Sequence, residues 1–292
     1  MFSDTSTNTL KLNSFLFSMK GAFMPAHHAH YYFGKQVIRK MPASLKKIIN
    51  NNGTSIDAFL IGLQGPDILE FYKPYQHNAL NREGAYIHHH PGYDFFNRAG
   101  NYIVELPSIP SLSYLYGSIC HYMLDSACHP IVEKYMQYTG CTHMLIERAF
   151  DQFLLTKEGC NPIGYNLSVL LPQNTDLGLF ISPFYHSATP KKIVKSITDT
   201  KRYLDLLNSP NQSVRRSIYY SLSCIKVIKK IRDMVACDPI NTETLRSSVT
   251  LYSKLEETVS ETILELGYFN SFLNNEQSLR KRFSFDYMGN TY

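Results

Sequence analysis

An all-α fold follows from three features of the sequence. Apolar residues recur at intervals of three and four over long stretches, no stretch carries the strict alternation of a half-buried strand, and Gly and Pro mostly fall between the helical stretches. The chain has 292 residues, 44% hydrophobic and 18% charged, which supplies a buried core and argues against disorder over most of its length.

The elements follow in order. Between Ala26 and Lys40, the positions Ala29, His30, Phe33 and Val37 share one helical face, so His30 is expected to point inward, and Pro42 closes the segment. Ser55 to Gln64 reads as a short helix ended by Gly65-Pro66, which leaves Asp67 just past a chain reversal. The run His88-His89-His90 meets a break at Pro91-Gly92, in a loop or at a helix end, and a helical pattern resumes from Asp94 to Leu106. A long helix is expected from Ser111 to about His129, where Pro130 disfavours an unbroken ladder. Gly140 separates it from a second helix, Thr142 to Lys157, with Gly159 as its C-terminal glycine. Beyond a Pro- and Asn-bearing stretch, Lys191 to Asn208, Ser213 to Ala236 and Thr242 to Phe272 complete the helical patterns. The expected organisation is a disordered leader over 1–23, a metal-binding core over 24–160, and a C-terminal helical region over 161–292 that packs on the core.

No apolar run approaches the roughly 20 residues of a membrane span, and Phe15 to Met19 is too short for a secretory signal. Met24 offers a second start point behind a polar leader, and the expected compartment is the cytoplasm. Six cysteines scattered through the chain read as thiols. The net charge of +5 is dispersed among acids, so a nucleic-acid partner is not indicated. The basic helix with Arg215, Arg216, Lys226, Lys229, Lys230 and Arg232 reads as a solvated face before it reads as a contact for anionic lipid.

Ten of the 11 histidines precede Asn161, which localises the chemistry to the N-terminal half. On a helix, residues four apart share a face, so His121, Asp125 and His129 form one row of metal-competent side chains, and His143 with Glu147 forms a second. A turn at Gly140 allows both rows to face one cavity. Chance predicts about one His followed by an acid four residues later in a chain of this composition, and four such pairs occur. His90 to Asp94 spans Pro91-Gly92 and reads as a decoy, and His129 to Glu133 spans Pro130 and is ambiguous. Zinc takes imidazole nitrogen and carboxylate oxygen in tetrahedral array, which two antiparallel helices readily supply. Ordinary buried ion pairs would use the same residue types, but the joint spacing favours metal.

The stretches Gly62-Leu-Gln-Gly-Pro-Asp67, Cys120-His-Tyr-Met-Leu-Asp125, Cys128-His-Pro130 and His143-Met-Leu-Ile-Glu147, with Ala29-His30-Tyr31 and Ile87-His88, together resemble the zinc-dependent phospholipase C family of bacteria over roughly Met24 to Gly159. The resemblance implies a multi-helix bundle holding two to three zinc ions, here with additional C-terminal helices. It implies that His88, Asp67, His121 and Asp125 hold one zinc, that Asp125 bridges to a neighbour also bound by His30, and that His129, His143 and Glu147 hold another. It further implies Asp67 as the catalytic residue that orients or deprotonates the attacking water, a phospholipid as substrate, and transient contact with a membrane surface. Secreted relatives complete a third zinc with an N-terminal Trp, and this chain has no Trp. Pro25, freed by removal of a starting Met24, is the expected substitute. Ile68 follows Asp67 where the family's choline pocket has an aromatic, which leaves the head group open.

Simpler roles stand beside these. Asp67 after Pro66 suits a helix cap, which can coexist with ligation. His30 suits a satisfied core histidine. One of His88, His89 and His90 is expected as a ligand, and the Ile-His pattern selects His88. His27 and His28 are expected on the surface. Cys120, Cys128 and Cys141 sit one or two residues from a histidine, about 100 to 200° around a helix, and read as small core residues. A nuclease on the same scaffold and a zinc- or lipid-binding protein without turnover remain the rival functions.

Overall fold

The computed structural model describes residues 26–74, 76, 78–223, 232–235, 237 and 240–291. The expected leader 1–23, Pro25, and residues 224–231 and Ala236 of the expected helix Ser213–Ala236 lie outside the described residues. Among those described there are twelve α-helices and no strand. They are α1 His27–Lys40, α2 Ala43–Ile49, α3 Gly53–Gly62, α4 Asp67–Glu70, α5 Ala79–His88, α6 Gly92–Glu105, α7 Ile109–Thr139, α8 His143–Lys157, α9 Leu177–Ile181, α10 Pro190–Leu207, α11 Gln212–Ser223 and α12 Thr242–Leu273. None is long and apolar enough to cross a membrane.

The 31-residue α7 is the axis of the bundle. It is buried on every face between Ser113 and Ser126, as a helix enclosed by neighbours must be. α3, α12, α1, α2, α6 and α8 pack around it. Where α3 crosses it, Gly62 and Gly117 bring the two backbones into contact: a Cβ on Gly62 would lie 2.2 Å from the Tyr114 carbonyl, and one on Gly117 would lie 2.3 Å from that of Phe59. This close crossing delivers the Leu63–Asp67 turn onto the middle of α7. The larger of two buried apolar clusters runs from Ala26 through α7 and α12 to Tyr287, and the smaller gathers Phe71, Met144, Leu207 and Leu222.

Helix ends follow local chemistry. Thr142 caps α8 through its Oγ1 and the Leu145 N–H, Asn241 caps α12, and Gly140 and Gly159 take positive φ beyond the ends of α7 and α8.

The structure departs from the expected elements at three places. α7 runs unbroken through Pro130, because its neighbours hold it on both sides and the C-terminal segment covers the carbonyl that the proline leaves without a donor. α2, α4, α5 and α9 were not expected, since segments this short are helical chiefly through packing. The chain after α12 was expected to carry no element, and it forms a 3-10 turn, Lys281–Ser284, with an isolated bridge between Phe285 and Thr291.

Candidate metal centre

Eight side chains from five helices converge at mid-bundle. His30 comes from the first turns of α1, Asp67 opens α4, and His88 closes α5. His121, Asp125 and His129 form the expected row on α7, and His143 and Glu147 the row on α8. Seven of the eight are buried, and His143 retains 17% of its side-chain surface. Pro66, not Asp67, stands at the N-cap of α4, and no side-chain cap bond forms there.

Asp125 sits at the centre. One of its oxygens is 3.1 Å from His30 Nε2 and 3.9 Å from His129 Nε2, and the other is 3.0 Å from His121 Nε2. Two oxygens facing different imidazoles is the arrangement a bridging carboxylate needs. Asp67 Oδ1 lies 2.7 Å from His88 Nε2 and 3.9 Å from His121 Nε2. Glu147 Oε1 lies 3.0 Å from His143 Nε2 and 3.4 Å from His129 Nε2. Three groupings bring their ligand atoms within 4.8 Å of one another: His30, Asp67 and His121; His88, His121 and Asp125; and His129, His143 and Glu147. The third coincides with an expected set. The first two redistribute the other expected set and share His121.

Three of the imidazoles are fixed from behind. Nδ1 of His88 donates to the Gly84 carbonyl at 2.9 Å, that of His121 to Leu63 at 3.1 Å, and that of His129 to Tyr287 at 2.6 Å. A histidine committed at Nδ1 presents the lone pair of Nε2, which is how metal-binding histidines are oriented. The Nε2 atoms of these three and of His143 are buried and lack hydrogen bonds, as do Asp67 Oδ1, Asp125 Oδ2 and Glu147 Oε2. Lone pairs of nitrogen and oxygen therefore oppose each other at about 3 Å, and only protons or cations between them relieve the repulsion. The donor set, nitrogen and carboxylate oxygen without sulfur, fits zinc.

The electrostatics carry the same demand. Burial resists charging His88, but the Asp67 carboxylate 2.7 Å away outweighs it and raises the imidazole to about 9. His129 reaches about 9 against burial, through Asp125 and then Glu147. Burial would raise Glu147, yet His143 and His129 hold it at about 2, and His121, His129 and His30 likewise hold Asp125 well below the ordinary carboxylate range. The cavity is thus built around positive charge.

Two residues escaped the sequence reading. Glu70, one turn past Asp67, is buried with neither oxygen hydrogen-bonded, 3.6 Å from His88 Nδ1, and burial raises it to about 8. Its signal in the sequence is the Asp-x-x-Glu spacing, which any helix start can carry. Tyr287, whose carbonyl holds His129, had no signal in spacing at all.

The surface expectation for His27 and His28 is overturned: they are 2% and 1% exposed. The first turn of α1 is buried because its free N–H groups are satisfied from inside. His28 N and Ala29 N donate to the two oxygens of Asp151 on α8, at 3.2 and 2.7 Å. His27 pairs with Gln64 at 2.5 Å and His28 with Glu158 at 2.9 Å. Cys120 and Cys128 are buried thiols that burial keeps protonated, and Cys141 is half-buried; none joins a metal grouping. The pairs His90–Asp94 and His129–Glu133 do not form: His90 bonds the Tyr86 carbonyl, and Glu133 bonds Gln137. Of the three consecutive histidines, His88 reaches the cavity.

A model of the family described as zinc dependent phospholipase C matches residues 29–219, running past Gly159, where the resemblance in the sequence was drawn to end. No curated protein and no solved structure matches the chain.

Proposed function

Because the chain belongs to the zinc-dependent phospholipase C family, we propose that it hydrolyses a glycerophospholipid to diacylglycerol and a phosphorylated head group, using about two to three zinc ions held in this cavity. The observation that carries the reading is the convergence of buried, unpartnered Nε2 and carboxylate oxygens while Nδ1 of three histidines is committed to backbone carbonyls. His129, His143 and Glu147 hold one ion, and His30, Asp67, His88, His121 and Asp125 hold the rest, with Asp125 between the two groups.

Zinc bound there supplies Lewis acidity, lowering the pKa of water and neutralising charge on the phosphoryl oxygens. Water attacks phosphorus, the bond from phosphorus to the glycerol oxygen breaks, and that oxygen leaves with a proton. Asp67 is the residue that orients the water and accepts its proton, since its Oδ1 points into the cavity with no hydrogen bond. His88 and His121 hold Asp67 from two sides. The buried walls keep bulk water away, which strengthens each of these contacts. His143, the one part-exposed member, marks the entrance on the first turn of α8.

Elemental analysis of protein purified without added metal tests the metal, and turnover of phospholipid vesicles against single-stranded DNA tests the substrate. The expected result is about two to three zinc per chain, falling in the double variant His121→Ala, His143→Ala, with turnover of phospholipid alone. Zinc well below one per chain after incubation with zinc overturns the reading, and turnover confined to DNA replaces the substrate with a nucleic acid.

A further inference from the structure

We propose that the C-terminal segment Arg280–Thr291 is a working part of the metal centre, with Tyr287 as a positioning residue that fixes the imidazole of His129. The inference rests on reading the cavity as a zinc site. It concerns a stretch beyond the 29–219 that match the family.

The segment leaves α12 and returns across the bundle. Arg280 pairs with Glu265 at 3.0 Å and Arg282 with Glu261 at 2.8 Å, both on α12. The Tyr122 hydroxyl lies within hydrogen-bond reach of the carbonyls of Arg282 and Phe285, and Gly92 N–H donates to Phe285 at 2.9 Å. Phe283 stacks on the Tyr122 ring. Asn290 N–H donates to Asp286 Oδ1 at 2.8 Å and closes the turn that carries Tyr287.

This anchoring delivers three contacts to the centre. The Tyr287 carbonyl accepts from His129 Nδ1, the Tyr287 N–H donates to the His88 carbonyl at 3.3 Å, and the Tyr287 ring packs 5.1 Å from the His88 ring and 5.8 Å from that of His121. A fourth contact lies on the helix beneath. Pro130 deprives the Ser126 carbonyl of its donor, and Gly289, at φ +81°, seats its backbone there; a Cβ on Gly289 would lie 2.8 Å from that oxygen and 2.6 Å from Pro130 Cγ. His88 and His121 take their Nδ1 acceptors from α5 and the Leu63 turn, inside the matched region, whereas His129 takes its own from a residue 158 positions away.

The test compares zinc affinity, by chelator competition, and the visible spectrum of the cobalt-loaded chain in Tyr287→Ala, Gly289→Ala and Tyr287→Phe. Tyr287→Ala and Gly289→Ala are expected to bind zinc about 10- to 100-fold more weakly with an altered cobalt spectrum, and Tyr287→Phe, which keeps ring and carbonyl, to bind as wild type does. A segment that only props the fold would lower the melting temperature of the zinc-free chain and leave zinc affinity unchanged, and that outcome overturns the proposal. Should the alanine variants fail to fold, hydrogen exchange in the unaltered chain decides: zinc slows exchange at the amides of residues 287–289, and unchanged exchange overturns the proposal. Wild-type protein that takes up no zinc overturns the metal centre together with this inference; wild type that loads while its variants load equally tightly overturns the inference alone.

Discussion

Two clusters of buried histidines and carboxylates lie side by side in this bundle, and they are built on opposite plans. Around Asp125 the carboxylate oxygens face imidazole nitrogens with no hydrogen placed between most of them. Around Asp151 both oxygens accept backbone N–H groups from the first turn of α1, and the neighbouring His27 is tied through Nδ1 to Gln64, while His28 Nε2 lies 2.9 Å from Glu158 near the surface. The ionisation follows the surroundings: imidazoles hold Asp125 well below the ordinary range, while burial raises Asp151 well above it despite its two amide donors. Burial and residue type are therefore shared, and the identity of the partner separates a cavity built for a cation from a joint that holds α1 to α8.

The comparison breaks if the two carboxylates respond alike to substitution. Asp125→Ala is expected to lower phospholipid turnover by at least about a hundred- to a thousandfold and to release zinc, as elemental analysis and steady-state assay will show. Asp151→Ala should keep its zinc and instead lose about 2–4 kcal/mol of stability in urea unfolding, because two buried N–H groups lose their acceptor. Equal zinc loss in both variants would erase the distinction.

Chelation separates the regions without mutation. At zinc concentrations about 100 to 1,000 times the dissociation constant, bound metal stabilises the fold by about 3–4 kcal/mol, so a chelator lowers the melting temperature. Hydrogen exchange should accelerate along α7 near Asp125 and stay unchanged at His28 and Ala29.

The smallest effect sharpens the contrast through pH. The folded-state value of Asp151 lies above its unfolded one, so the folded chain retains this proton longer, and stability falls as pH rises from the ordinary carboxylate range through the folded value. Asp151→Asn removes that slope. The stability of wild type relative to the variant should decline as pH rises above the ordinary carboxylate range, measured by urea unfolding at a series of pH values; parallel profiles would show that Asp151 does not titrate this way.

Much of the site was legible because its two richest helices carry their own geometry. The i, i+4 rows His121–Asp125–His129 and His143–Glu147 follow from a 100° step per residue, and Gly140 marks the turn between them. Asp67 stood out beside Gly65-Pro66, where the chain breaks, and the Ile-His pattern of the family resemblance picked His88 from its run of three. The burial of His27 and His28 was not legible, since its cause, Asp151, lies over 120 residues along the chain. Glu70 was hidden for a different reason: its spacing from Asp67 belongs to every helix, and only the absence of a partner distinguishes it.

By itself the sequence determined the helical class, most helix ends, and which faces of α7 and α8 carry the metal-competent side chains, because each depends on residues within a turn or two of one another. Tertiary structure alone decided that α7 passes through Pro130, that α1 is buried from its first turn, and that Tyr287 completes the surroundings of His129. The second and third depend on a backbone group meeting a donor or acceptor more than 100 residues away, and the first on backbone packed over Ser126 and Pro130 from Gly289; such meetings leave no periodic trace in the chain.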